Sequence, residues 1–147
     1  RWSAETEILL FTAARRDHLD KTIEPALAAG KIVISDRFAD STRVYQGAAR
    51  GALRGMVDAL HDLMIAREPE LTFVIDMDPG EALRRGLARA SGEDRFEDMG
   101  EDFQHRLRAG FLDLAKAAPA RCQVIDGNRP EDAVTDDVRT RVLAHLA

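Results

Sequence analysis

A single cysteine, Cys122, stands in 147 residues, which excludes an internal disulfide framework and any zinc site built on cysteines. Its plain reading is a buried strand residue. The four histidines, His18, His61, His105 and His145, fall at no metal-ligand spacing such as His-Glu-x-x-His. Positive charge is not in excess. The net charge of −5 speaks against a broad electrostatic footprint for nucleic acid. No apolar run approaches the roughly 18 residues of a membrane helix, and no signal-peptide pattern is present. A cytoplasmic protein without membrane or nucleic-acid partners is therefore expected. Repeats, linkers and low-complexity segments are also missing. What remains is ordinary for a globular protein, 45% hydrophobic and 32% charged, with enough length for one domain and a real core. A single domain over residues 1–147 is predicted. The first residue is Arg1 rather than Met and a helical pattern starts almost at once, which reads as a chain whose early part is missing.

Along the chain, apolar β-branched runs alternate with helical patterns. Ser3 is a candidate N-cap with Glu5 and Glu7 in the first turn, and Ile8, Phe11 and Leu19 give a stripe for a helix to about His18. A second helix is predicted from Leu19 to Ala29, ending at Gly30, with a break or kink near Glu24 caused by Pro25. Ile32–Ile34 reads as a buried parallel strand. A short helical turn follows over Ala39 to Ala48. A helix over Ala52 to Ala66 carries Leu53, Met56, Val57, Leu60, Leu63 and Met64, a face for the core or for a dimer. Leu71–Met77 and Gln123–Asp126 read as further strands. Helices are predicted after Pro79, over Gly100–Ala118 and over Glu131–Ala147, the last with Val134, Val138, Val142 and Leu146 at four-residue spacing. Strands alternating with helices indicate an α/β doubly wound domain with a parallel sheet.

The central stretch is KIVISDRFADSTRVYQGAARG, Lys31 to Gly51. In open α/β sheets, ligands bind beyond the carboxyl ends of the strands. Asp36 and Arg37 stand at such a place, before the hydroxyl-rich turn Asp40-Ser41-Thr42. An arginine there suits a bidentate grip on phosphate. A structural Asp–Arg pair capping the next helix would look the same. Phe11 and Arg15, four residues apart, share a helix face, where an aromatic and an arginine can stack on a base and bond its edge. A core phenylalanine beside an exposed arginine fits that spacing too. Between Arg84 and Arg108 lie six arginines, Arg84, Arg85, Arg89, Arg95, Arg106 and Arg108, interrupted by Gly86 and Gly92 and balanced by acids. That is either a solvated mixed-charge face or a loop that closes over phosphates.

The wording DRFADSTRVYQGAARG resembles the central signature of thymidylate kinases, an Asp-Arg dipeptide followed by a Ser/Thr pair and Tyr-Gln-Gly. LLFTAARRDH resembles the helix of that family whose phenylalanine stacks on thymine and whose arginine contacts the base. Asp94-Arg95-Phe96-Glu97, with Phe103, Arg106 and Phe111-Leu112, resembles the lid and following helix of the bacterial enzymes. The resemblance implies a P-loop-kinase-like three-layer fold with a lid at about 91–99. It also implies phosphoryl transfer from ATP, with Mg²⁺, to thymidine monophosphate, in a homodimer. It places Phe11, Arg15, Arg37, Ser41, Thr42, Tyr45 and Gln46 at the acceptor nucleotide, with Tyr45 against the sugar and Thr42 reading the base. Arg95, then Arg85 and Arg89, would serve the donor phosphates. Asp36 would orient Arg37 or hold the metal.

The acceptor in such a reaction is a phosphate oxygen, already anionic near neutrality because the second ionisation lies near ~6. No strong base is needed; the work is positioning and neutralising negative charge in line. Arg15, Arg37 and Arg95 are suited to that. One expected part is absent: no Gly-x-x-x-x-Gly-Lys-Ser/Thr loop, with its phosphate-cradling N–H groups, occurs in the 147 residues. The sheet is accordingly expected to be incomplete, lacking its first strands, and the 147 residues alone are expected not to transfer phosphoryl groups. Two other readings stand beside this one: another nucleoside or nucleoside-monophosphate kinase, and a non-catalytic nucleotide-binding α/β module.

Overall fold

The computed structural model describes residues 2–48, 53–88 and 100–147, and the chain forms two compact units, Arg1–Glu68 and Pro69–Ala147. In the first, Ser3 caps helix α1 (Ala4–His18) by accepting the Thr6 N–H at 3.2 Å. Glu5 and Glu7 occupy its first turn and Arg15, Arg16 and His18 its last, the arrangement that the helix dipole favours at both ends. The helix does not break at Pro25. It widens into a π-helical turn over Leu19–Ile23, in which the Leu19 carbonyl accepts the Glu24 N–H, and resumes as α2 (Glu24–Ala28). Proline lacks an N–H and its ring crowds the carbonyl four residues back. Widening the turn ahead of it relieves that crowding without ending the helix. Gly30, at φ 71°, then reverses the chain. Its N–H reaches the Leu27 carbonyl at 2.9 Å and the Lys31 N–H reaches Ala26 at 3.0 Å, which satisfies the last carbonyls of the helix.

Residues 32–34 are not a strand. They carry no regular secondary structure, with Val33 packed on the cluster of Leu19, Ile23 and Ile65, while Ile32 and Ile34 are 65% and 89% exposed. The alternation is that of a strand, but ladder partners for its N–H and C=O groups are not among the described residues. The chain then forms α3 (Ala39–Thr42), a second π-helical turn over Arg43–Ala48, and α4 (Arg54–Met64). α4 packs against that turn and α1 and buries Val57 and His61. Of the apolar face predicted for it, Met56, Leu63 and Met64 are exposed, Leu63 by 78%.

The second unit is built on β1 (Thr72–Asp76) and β2 (Cys122–Asp126), paired in parallel with Val74 opposite Val124. α5 (Pro79–Ala88) starts with Pro79, and the Asp78 side chain accepts the Glu81 N–H at 3.1 Å as its cap. α6 (Glu101–Ala117) lays Phe103, Leu107, Leu114 and Ala115 inward, and it packs on both strands and on α5. Cys122 is buried at 6% exposure, as the sequence predicts. α7 (Glu131–Leu146) covers β2 with a half-buried valine stripe and leaves Leu146 exposed. Gly127 turns the chain after β2, where a Cβ would lie 2.7 Å from Ile75 Cγ2 and 3.0 Å from the Asp76 carbonyl. Only glycine fits that approach. No described helix is long and apolar enough to cross a membrane.

Candidate functional site

Within the first unit, Arg15 and Arg37 each lie over an aromatic ring. Arg15, in the last turn of α1, is half-buried with its guanidinium 5.3 Å above the centre of the Phe38 ring. Its Nη2 donates to the Thr42 hydroxyl at 2.8 Å and to the Phe38 carbonyl at 3.3 Å. Burial, and then the neighbouring Arg43 cation, lower its pKa, against the pull of Asp40; a guanidinium stays charged even so. One turn earlier on the same α1 face, Phe11 is 38% exposed. The ring is thus partly open to solvent among the described residues.

Arg37 adopts φ 66°, a left-handed conformation that is costly for a residue with a Cβ and that collects at functional sites. It follows the irregular segment 31–35, and the Ser35 hydroxyl donates to its carbonyl at 2.9 Å. The guanidinium stacks 5.0 Å from the centre of the half-buried Tyr45 ring, so its nitrogens lie at the surface of the unit beside an aromatic wall. Asp36 is exposed and Ser41 half-buried. Gln46 is turned inward, 2% exposed, and its Nε2 donates to Glu7 Oε2 at 3.2 Å.

A kinase magnesium ion takes about six oxygens, mostly from phosphates and water with one or two carboxylates. Asp36 offers one such carboxylate. No group of three or more histidine, cysteine or acidic residues able to hold a metal occurs among the described residues, so these residues alone do not compose a Mg²⁺ site. In the second unit, Arg85 Nε donates to Glu81 Oε1 at 2.6 Å, and Arg84 grips the same carboxylate through two bonds of 2.8 Å. The two guanidinium groups pull the Glu81 carboxyl down to about 2. Arg89, Arg95, the lid at 91–99 and the Arg50-Gly51 pair lie outside the described residues.

Three residues at the site escaped the sequence reading. Phe38 supplies both ring and carbonyl to Arg15, Glu7 anchors Gln46, and Arg43 is the buried centre of an acidic cluster. Arg43 Nη1 meets Asp40 at 2.8 Å and Glu68 at 3.0 Å, and Nε meets Asp58 at 3.1 Å. The Asp40–Arg43 spacing of three was readable as a helical ion pair. The partners 15 and 25 residues away had no sequence signal.

The family model described as thymidylate kinase matches residues 1–138. The chain is 72% identical over 146 residues to a thymidylate kinase of Dinoroseobacter shibae, covering 99% of this chain and 69% of the relative. Against a thymidylate kinase of Ruegeria pomeroyi it is 64% identical over the same coverage. Among solved structures, the thymidylate kinase of Ehrlichia chaffeensis superposes with a TM-score of 0.74 at 38% identity, over 97% of this chain and 66% of that one. The chain thus spans about two thirds of the length of the proteins it matches, and its parallel sheet and alternating helices are those of the P-loop kinase fold. The chain belongs to the thymidylate kinase family.

Proposed function

We propose that the first unit binds thymidine monophosphate as phosphoryl acceptor, in the reaction by which thymidylate kinases phosphorylate that nucleotide with ATP. One observation carries the reading: Arg15 is held on Thr42 and Phe38 one helical turn from the half-open Phe11 ring, in the same unit where Arg37 lies on Tyr45. Phe11 stacks on the base, and Arg15 with Thr42 presents polar groups to its edge. Tyr45 walls the sugar, and Arg37 holds the phosphate. The acceptor oxygen is anionic near neutrality, since its second ionisation lies near ~6. Arginines that bring it into line and offset its charge therefore suffice, with no base to remove a proton. ATP is the donor in this family; Arg85 and Arg95 serve its phosphates, and Asp36 contributes a carboxylate toward its Mg²⁺. The enzyme works in the cytoplasm as a homodimer through the exposed Met56, Leu63 and Met64 of α4.

The test is phosphoryl transfer by the full-length protein to thymidine monophosphate, with thymidine and other monophosphates as competing acceptors. Preference for thymidine itself would replace this reading with a nucleoside kinase. Arg37→Lys keeps the charge and loses the planar fork, so acceptor affinity should drop. Undiminished affinity would remove Arg37 from the phosphate site. Leu63→Asp should turn a dimer in sedimentation into a monomer.

A further inference from the structure

The π-helical turn over Arg43–Ala48 is a wide turn of a kind that needs tertiary support and gathers at functional sites. Its first residue supplies that support. The Arg43 side chain is 8% exposed, and all three of its nitrogens are engaged. Nη1 bonds Asp40 at 2.8 Å within α3, Nε bonds Asp58 at 3.1 Å on α4, and Nη1 and Nη2 bond Glu68 at 3.0 and 2.5 Å beyond α4. The cluster is closed on its far sides. Arg54 Nε meets the other oxygen of Asp58 at 2.7 Å, and His61 Nε2 lies 3.1 Å from Glu68, with Nδ1 buried and without a partner among the described residues. Burial works against the guanidinium charge, but the bonds to Glu68 and Asp40 prevail and hold Arg43 firmly protonated.

Resting on the function proposed above, we propose that Arg43 is a positioning residue for the acceptor nucleotide, fixing the turn that carries Tyr45, and with it Thr42 at the end of α3, to α4 and to Glu68 while touching no substrate itself. The two neighbours it places are those the site uses. Thr42 precedes it and accepts from Arg15, and Tyr45 follows two residues later under Arg37. A planar fork can meet three carboxylates at once, whereas a lysine ammonium in the same place is a single point charge on a flexible stem. The arrangement also explains why an arginine so close to a phosphate site is not available to phosphate: its donors are committed to acids.

The experiment uses the full-length protein and three variants: Arg43→Lys, Glu68→Gln, and Leu114→Ala, a core truncation in the second unit. Thymidine monophosphate binding is titrated directly, KM is measured for both substrates, and Tm is recorded. Arg43→Lys should weaken monophosphate binding about tenfold and raise its KM likewise, with KM for ATP held within about twofold. Glu68→Gln, which keeps shape and removes one acceptor charge, should do the same to a smaller degree. Leu114→Ala should lower Tm without separating the two KM values. Failure of the wild-type protein to bind the monophosphate would overturn the functional reading itself. Binding by the wild type with unchanged affinity in Arg43→Lys and Glu68→Gln, or an equal rise of both KM values, would overturn the role of Arg43 alone. If Arg43→Lys does not fold, the Glu68→Gln titration decides.

Discussion

Within residues 1–68 the interior holds Glu7, Thr12, Asp40, Thr42, Arg43, Gln46 and His61 beside its aliphatic cluster, whereas the buried side chains described in residues 69–147 are Val74, Pro79, Phe103, Leu107, Leu114, Ala115, Cys122 and Ile125, with no polar or charged side chain among them beyond the thiol. The second unit keeps its ion pairs outside, as in Arg108 on Asp76 and Arg141 on Asp137. Apolar packing there is non-directional and tolerates small errors of placement. A buried polar network is tolerated only when its members are paired, and it then admits few alternative geometries. The first unit gives up packing that hydrophobic residues would supply more simply, and on the proposal above what it gains is placement of Thr42, Tyr45 and Arg15. On the function proposed above, the first unit recognises the acceptor, while the apolar interior of the second supports its own fold.

The largest effect should come from the supporting side. Phe103, fully buried on α6, should cost about 3–5 kcal/mol of stability when truncated to alanine. Chemical denaturation measures that loss. The affinity of the folded fraction for thymidine monophosphate should be unchanged, and a selective loss of monophosphate binding would break the contrast.

On the recognising side, Gln46→Ala removes a buried hydrogen bond to Glu7 and leaves a cavity, at a cost of about 1–3 kcal/mol. Monophosphate binding should weaken along with stability, because Gln46 sits beside Tyr45 and faces inward. Full stability with lost binding would show that Gln46 touches the nucleotide directly. Phe11→Ala should reverse the pattern. The ring is already 38% exposed, so denaturation should change little, while monophosphate binding should fall by about 1–3 kcal/mol, the scale of a single base stack. Isothermal titration with each substrate separately would reveal whether ATP affinity falls as well, which it should not.

The smallest effect is a difference in pH response. His61 is held below its ordinary value of 6.5, by burial first and then by Arg43. An unfolded chain therefore takes up this proton before the folded one does, and stability drops as pH falls from about neutral through the folded value. Asp76 is held below its ordinary 3.8 by Arg108. Its contribution is present above the unfolded value and disappears only in stronger acid, as pH falls through the folded one. Amide exchange followed by pH should show residues 1–68 loosening first. His61→Gln should flatten the early slope and Asp76→Asn the late one; an early slope that survives His61→Gln would assign it to another group.

Much of the chain could be read locally. The Ser3 cap, the Gly30 terminator, the Pro79 start and the two runs that became β1 and β2 were each set by a few adjacent residues. So were the Phe11–Arg15 spacing and the wording around Asp36 and Arg37. Local pattern misleads where the outcome depends on a distant neighbour. Ile32–Ile34 has the composition of a buried strand, yet no ladder partner lies among the described residues, and two of its three side chains are exposed. Pro25 disrupts the helix as expected, but whether helix yields by breaking or by widening depends on packing around Leu19 and Ile23, which hold the turn on the core.

The sequence by itself determined the α/β class, the family wording and the candidate residues Phe11, Arg15, Arg37 and Tyr45, because caps, turns and periodic faces are short-range properties of the chain. Only the tertiary structure decided which of those side chains face outward. It turned Gln46 in toward Glu7, left Phe11 half open, and gathered Asp40, Asp58 and Glu68 around Arg43. The reason is physical: desolvating a charge is unfavourable unless its partners arrive with it, and those partners come from segments that only folding brings together.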